Sequence, residues 1–238
     1  MNLVSLQFKT TDNFQENLDT LVSFINKAPK GAFIVAPELC LNGYAYENLD
    51  EAVEISSKAI EILKELSKDK TICLTLTQVS GDKYLNTLHI FHEGKIVHTQ
   101  SKYELFVLND EQKYFEKGKK EDIKIVEIAG LKVACVICFE LRFIDLWQQI
   151  KGADIVLVPS MWGILRKENL EVLSQALAIA NQCFVVVSNS ANKEMAKSSS
   201  IINPFGKYYL DDEKEFLIEN VDLNEIKKMR RYLPVGIK

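Results

Sequence analysis

The hydrophobic positions of this chain follow two spacings, one typical of buried strands and the other of amphipathic helices. Short apolar runs rich in β-branched residues predict strands, and apolar residues three or four positions apart predict the helices between them. The predicted strands are 2–8, 33–36, 71–79, 85–92, 95–100, 123–129, 131–137, 154–158, 183–188, 199–203, 206–210 and 215–221. The predicted helices are 13–28, 51–68, 141–151, 168–182 and a last one that begins near Asp222.

Strand–helix alternation is combined with two predicted hairpins, one turning at Glu93-Gly94 and one around Gly130. Strand–helix units favour a parallel sheet, whereas hairpins require antiparallel strands, so the pattern predicts a layered α/β sandwich. No linker-like stretch interrupts the chain, which predicts a single domain over residues 1–238. Residues 101–120 are highly charged and show no clear period, and so long a loop in a compact domain indicates a functional role.

Composition indicates which binding partners and which cellular location to expect for the protein. The formal net charge of −4 argues against a nucleic-acid binder, which normally carries a basic face. No apolar run approaches the ~20 residues of a membrane span, so no membrane partner is expected. Five cysteines without disulfide-like spacing, and no recognisable signal peptide, predict a cytoplasmic protein with free thiols.

Cys138 is the first candidate for a catalytic residue. It follows an apolar run, and a charged, helix-like segment comes after it. A thiol at the carboxyl end of a buried strand is held rigidly and lies beside backbone N–H groups, as a nucleophile requires. The N–H of Phe139 would point at the same reacting carbonyl. The alternatives are an inert buried thiol or a metal or redox pair with Cys135, but the chain has no second such pair.

Two charged residues also follow predicted strands. Glu38 comes directly after Pro37, where partial desolvation would make it a useful general base. Lys102 comes just after the strand ending at Gln100, where an ammonium would stabilise a developing oxyanion. Each residue alone also fits a solvated loop or edge position. Taken together with Cys138, they predict one acyl-transfer site.

Other chemistries find less support. The three histidines, His89, His92 and His98, all fall in one predicted hairpin, and no serine occupies a Gly-x-Ser-x-Gly elbow. No glycine-rich phosphate loop is present. We therefore expect neither a metal site nor a cofactor.

The chain resembles the carbon–nitrogen hydrolase family, also called the nitrilase superfamily, over roughly residues 1 to 235. The order and spacing of several short motifs carry the resemblance, which is specific only when they are taken together. The motifs are Ala36-Pro37-Glu38-Leu39 with Gly43-Tyr44, Ser101-Lys102 with Leu105-Phe106, Glu111 with Tyr114-Phe115 and Gly118, Cys138-Phe139-Glu140-Leu141-Arg142-Phe143, Pro159-Ser160-Met161-Trp162, Ala178-Ile179 with Asn181, and Ser199 with Asn203-Pro204 and Gly206.

The resemblance implies a four-layer α-β-β-α sandwich that pairs into a homodimer or a larger homo-oligomer. It implies Cys138 as nucleophile, Glu38 as general base and Lys102 as oxyanion stabiliser, with no cofactor. Glu111 would orient the substrate or assist the other charged residues. Phe139, Met161 and Trp162 would contact the substrate, and Trp162 alternatively fits a partly buried core position.

The chain also departs from the family pattern. Glu140 stands where the family often has Asp, and Glu104 stands where a His often follows the lysine. Leu177 and Ala180 replace the usual Arg and Glu of the late helix. These changes concern local packing, dimer contacts and the pocket more than the chemistry.

The resemblance implies cysteine-dependent hydrolysis of a small non-peptide amide, as in ω-amidases, through a thioester that releases ammonia or an amine and a carboxylic acid. N-carbamoyl amidases and nitrilases are alternatives, although Phe139 stands where nitrilases usually carry Trp. A catalytically idle binding scaffold and a thiol redox sensor are further alternatives. A carboxylate-bearing substrate would need a cation, for which Arg166 and Lys167 are candidates.

Overall fold

Two six-stranded mixed sheets lie face to face in the computed structural model, which describes residues 1–237. The first sheet has the order β12 (Phe216–Asn220), β1 (Asn2–Leu6), β2 (Phe33–Val35), β3 (Thr71–Ser80), β4 (Lys83–His92) and β5 (Lys95–Ser101). The second has the order β11 (Tyr208–Leu210), β10 (Ser200–Ile202), β9 (Phe184–Ser188), β8 (Ile155–Pro159), β7 (Leu131–Cys135) and β6 (Val126–Ile128). Three strands run parallel in each sheet, β1–β3 in the first and β7–β9 in the second.

Helices cover the outer faces of both sheets. The α-helices within residues 1–237 are α1 (Phe14–Lys27), α2 (Leu49–Leu66), α3 (Glu111–Tyr114), α4 (Ile144–Gln149), α5 (Lys167–Asn181) and α6 (Asn224–Tyr232). The apolar faces of α1 and α2 pack on the first sheet, and those of α4 and α5 pack on the second. The resulting α-β-β-α order of layers confirms the predicted four-layer sandwich. None of the helices in this part of the chain combines the length and apolar character needed to cross a bilayer.

The central strands are mostly apolar because both of their faces are buried. In β1, Leu3 belongs to the core between the sheets and Val4 to the core beneath α1 and α2. Successive side chains of a strand point to opposite faces, so a strand buried on both sides reads as a continuous apolar run.

Both predicted hairpins are confirmed. β4 and β5 are joined through Glu93 and Gly94, and β6 and β7 through Ala129 and Gly130. All four turn residues have positive φ, as the tight two-residue turns that match the twist of paired strands require.

Several predicted element bounds differ from those of the structure. Strand β7 ends at Cys135 rather than at residue 137, and the predicted helix 141–151 is replaced by a 3₁₀ helix (Cys138–Arg142) followed by α4. Residues 101–120 are not structureless, because a 3₁₀ helix (Val107–Asn109) and α3 lie within them. These helices have three to six residues, too few to produce the periodicity from which helices are predicted.

The loops that leave the two sheets meet at one end of the sandwich. Glu38, after β2, donates its backbone N–H to the carbonyl of Ser160, after β8, at 3.2 Å. Ser160 in turn donates its N–H to the carbonyl of Ser188 at 2.8 Å. The segments after β2 and β8 are therefore held against each other, which brings residues of both sheets to one site.

Candidate active site

Cys138 begins the 3₁₀ helix that follows β7 and has a φ of +49°. A non-glycine residue in this left-handed region costs about 1–3 kcal/mol, and such strain concentrates at functional sites. The thiol is almost fully buried, and Sγ accepts a hydrogen bond from the N–H of Met161 at 3.5 Å. Burial, followed by the negative charge of Glu38, raises the pKa of Cys138 well above its usual value. The thiol is therefore protonated at neutral pH and needs a base before it can attack.

Glu38 is the candidate for that base, because it is the carboxylate whose negative charge acts on the Cys138 thiol. Its side chain is fully buried, and Oε1 accepts hydrogen bonds from Tyr44 Oη at 2.6 Å, Lys102 Nζ at 2.8 Å and Asn86 Nδ2 at 2.9 Å. Oε2 has no hydrogen-bond partner among the described residues. One oxygen is thus fixed by three donors while the other remains available to take a proton.

Lys102 links two buried carboxylates. Its Nζ donates to Glu38 Oε1 at 2.8 Å, to Glu111 Oε1 at 2.6 Å and to Tyr44 Oη at 2.9 Å. Burial lowers the pKa of Lys102, but the negative charges of Glu38 and Glu111 outweigh burial and raise it overall. Lys102 is therefore a fixed ammonium inside the protein.

Glu111 lies at the start of α3, almost fully buried, with its carboxylate divided between two partners. Oε1 accepts from Lys102, and Oε2 accepts from the N–H of Phe106 at 2.9 Å. Burial is the largest cause of the raised pKa of Glu111, and the charge of Lys102 opposes it. The structure thus brings the three predicted charged residues into one hydrogen-bonded cluster whose charges act on Cys138.

Two members of the cluster were not predicted as functional. Tyr44, with a φ of +63°, donates its hydroxyl to Glu38 and accepts from Lys102, and Asn86 on β4 holds the same Glu38 oxygen. The family motif contains Tyr44, which was the available signal for it. Asn86 lies inside a strand, where an amide is an ordinary residue, so no sequence signal marks it.

Tyr44→Phe is expected to lower kcat by about 10–100-fold without a comparable change in KM. The substitution removes the hydrogen bond that the hydroxyl donates to the Glu38 carboxylate and the one that it accepts from the Lys102 ammonium. Hydrogen bonds to charged groups contribute roughly 1.5–3 kcal/mol each. Ammonia release under saturating amide measures the effect. Tyr46→Phe is the matched control, because the Tyr46 hydroxyl binds the Asn109 carbonyl instead. A wild-type kcat in Tyr44→Phe would contradict a role for this hydroxyl.

A cavity of about 280 Å³ opens beside the Cys138 thiol. The three residues predicted to contact substrate, Phe139, Met161 and Trp162, all line it. Arg166, which was predicted as a cation for a carboxylate-bearing substrate, also lines the cavity. The other lining residues, Phe106, Arg142 and Gly163, were not predicted to contact substrate. The small size of this cavity suits a small molecule.

The two arginines of the cavity lie over aromatic rings. The Arg142 guanidinium is 4.7 Å from the centroid of the Trp162 ring, and that of Arg166 is 5.2 Å from the Phe106 ring. Lys167, the other predicted cation, instead pairs with Asp212 and donates to the Ala196 carbonyl. Within residues 1–237, no group of three or more His, Cys, Asp or Glu side chains is arranged to hold a metal ion.

A nucleophile-type cysteine beside a buried carboxylate and ammonium, on an α-β-β-α sandwich, defines the class of carbon–nitrogen bond hydrolases. The family model described as carbon-nitrogen hydrolase matches residues 3–231, and the chain belongs to this family.

Relatives agree with this assignment, and a solved structure shares the fold. A 2-oxoglutaramate amidase from Bacillus subtilis (strain 168) is 31% identical, with 92% of this chain and 90% of the relative covered. An omega-amidase NIT2 from Xenopus tropicalis is 26% identical, covering 97% of this chain and 91% of the relative. The CN-hydrolase superfamily protein XC1258 from Xanthomonas campestris shares the fold with a TM-score of 0.86, at 19% identity and over 98% of this chain and 95% of that one. The predicted nitrilase-type fold is thereby confirmed.

Proposed function

We propose that the protein is a cysteine-dependent amidase that hydrolyses a small non-peptide amide of ω-amidase type through a thioester on Cys138. The buried Glu38–Lys102 contact, whose charges act on the Cys138 thiol, is the observation that carries this proposal. It provides a base, a cation and a nucleophile in one small site, as acyl transfer requires.

The first half of the reaction acylates the thiol. Glu38 takes the proton of Cys138, and the sulfur attacks the carbonyl carbon of the amide. The charge of Lys102 and the N–H of Phe139 stabilise the oxyanion that forms. The protonated Glu38 then gives its proton to the departing nitrogen, the C–N bond breaks, and ammonia or an amine leaves a thioester behind.

The second half restores the enzyme. Glu38, ionised again, removes a proton from water as the water oxygen attacks the thioester carbonyl. The C–S bond breaks, the carboxylic acid leaves, and the proton returns to the Cys138 sulfur. Glu111 holds the Lys102 ammonium in place through both halves, since it binds the same nitrogen.

The two arginines support an acyl group that carries its own carboxylate. Arg142 and Arg166 line the cavity that contains Cys138, and a guanidinium binds a carboxylate through two parallel hydrogen bonds. The relatives described as 2-oxoglutaramate amidase and omega-amidase support the same substrate class. We therefore propose a short dicarboxylate monoamide as the substrate.

Arg166→Ala is expected to raise KM for a carboxylate-bearing amide by about 10–100-fold. A hydrogen bond to a charged group contributes roughly 1.5–3 kcal/mol, which corresponds to that range. The matched control is the uncharged amide of equal length, for which KM should stay within about threefold. Equal effects on both amides, or no effect on either, would contradict recognition of a carboxylate by Arg166.

The proposed function is tested by ammonia release from a panel of dicarboxylate monoamides, simple aliphatic amides, N-carbamoyl amino acids and nitriles. The monoamides are expected to give the highest kcat/KM. A preference for N-carbamoyl compounds or nitriles would replace the proposed substrate class with one of the alternatives. No turnover of any compound would favour a binding scaffold.

A further inference from the structure

Glu140 is a fully buried carboxylate that the mechanism above does not use. Its Oε2 accepts the N–H of Ile137 at 2.6 Å, and its Oε1 accepts the N–H of Tyr103 at 2.7 Å. Ile137 directly precedes Cys138, and Tyr103 directly follows Lys102. A single side chain thus binds the backbone next to the nucleophile and the backbone next to the buried ammonium.

The two bonded segments belong to different sheets. Lys102 and Tyr103 follow β5 of the first sheet, whereas Ile137 and Cys138 follow β7 of the second. Glu140 itself is held within the 3₁₀ helix, because its N–H donates to the Ile137 carbonyl and its carbonyl accepts from Phe143, both at 3.0 Å. Its carboxylate is therefore a fixed connection between the two loops that carry the catalytic cysteine and lysine.

We propose that Glu140 is a positioning residue that, when ionised, holds Cys138 and Lys102 in the relative placement that acyl transfer requires. This inference rests on the proposed function. Ionisation matters because two backbone N–H donors need two acceptor oxygens. Protonation turns one oxygen into a hydroxyl, which is a weaker acceptor and must also place its own hydrogen, so the bond to one of the two loops is strongly weakened.

The surroundings of Glu140 make its ionisation responsive near neutral pH. Burial raises the pKa of Glu140 from its ordinary value of 4.5 to about 7, opposed by the N–H groups of Ile137, Tyr103 and Glu104 and by the charge of Lys102. The positioning contact is expected to be complete above about pH 8 and largely lost below about pH 6.

Stability and activity should change in opposite directions. Because the pKa of Glu140 is higher in the folded than in the unfolded chain, the folded state binds the extra proton between about pH 4.5 and 7. The contribution of Glu140 to the free energy of unfolding therefore decreases as pH rises through that window. Activity rises over the same window, because the ionised form makes both hydrogen bonds.

Glu140→Gln tests the proposal through the ratio of wild-type to variant kcat/KM between pH 5.5 and 8.5. We expect a ratio of about 10–100 at pH 8 that falls roughly tenfold by pH 6, because the wild-type side chain is then mostly protonated. As pH rises from 5.5 to 8.5, wild type should lose unfolding free energy relative to the variant. Glu104→Gln is the matched control, since this carboxylate on the same loop pairs with the surface residue Lys117 and should leave the profile unchanged.

A pH-independent ratio of kcat/KM would overturn the positioning role, even if Glu140→Gln were less active throughout. If Glu140→Gln does not fold, Glu140→Asp carries the test. It keeps an acid of lower intrinsic pKa, so the acid inflection of kcat/KM should move to lower pH. An unchanged inflection would equally overturn the proposal.

Hydrogen exchange separates this proposal from the proposed function. Exchange of the Ile137 and Tyr103 amides, corrected for the intrinsic effect of pH, should be faster in Glu140→Gln than in wild type at pH 8. The difference should shrink at pH 6. This result needs no substrate, so it remains decisive if no amide is hydrolysed. Slow exchange at both amides in the variant would overturn the connection itself.

Discussion

Cys138→Ala is expected to abolish amide hydrolysis, with a loss of about 10⁴–10⁶-fold in kcat, while the fold remains intact. The sulfur is the atom that would carry the acyl group, and no other nucleophile is assigned to the cavity. The loss removes one buried sulfur from a site that already borders a cavity, so the cost in stability should be small. Retained wild-type turnover in this variant would contradict the proposed mechanism.

Cys183→Ala is the matched control for that experiment. It makes the same chemical change at another buried cysteine, just before β9, and should keep wild-type kcat. Intact-protein mass spectrometry adds a direct test of the thioester. Wild type quenched in acid during turnover should carry the acyl mass, Cys183→Ala should carry it too, and Cys138→Ala should not.

The main parts of the site could be predicted because they follow strands. Glu38, Lys102 and Cys138 each come after a predicted strand, and polar residues at such positions meet at one edge of a layered fold. Asn86 could not be predicted, because its role depends on a hydrogen bond to Glu38, a residue distant from it in the sequence. The left-handed conformation of Cys138 was equally inaccessible, since cysteine has no preference for positive φ.

The fold was predicted most reliably where local chemistry and long-range packing agree. Glu93-Gly94 and Gly130 fix their hairpins by turn geometry alone. The helix after Cys138 was mispredicted because its start depends on Glu140, whose carboxylate bonds a loop of the other sheet. The single domain, the homodimer or larger homo-oligomer and the cytoplasmic location stay predictions.

Lys102→Met is expected to lower kcat by at least about 10²–10³-fold and to destabilise the fold by about 3–5 kcal/mol. The ammonium is the cation that both buried carboxylates bind, at 2.8 Å and 2.6 Å. Its removal leaves Glu38 and Glu111 as unpaired neighbours that cannot both stay ionised without a large cost. The free energy of unfolding of the variant should therefore recover toward wild type as pH falls and the pair takes up a proton.

The double variant Lys102→Met/Glu111→Gln separates the two consequences. Removing one of the two carboxylate charges should restore part of the unfolding free energy lost in Lys102→Met, because only Glu38 then lacks a counter-charge. Hydrolysis should not return, because nothing replaces the cation at the oxyanion. Chemical denaturation and ammonia release, measured on the wild type and both variants at pH 6 and 8, give the comparison. Recovery of hydrolysis in the double variant would show that Lys102 serves only to neutralise Glu111, whereas wild-type stability in Lys102→Met would contradict the buried ion cluster.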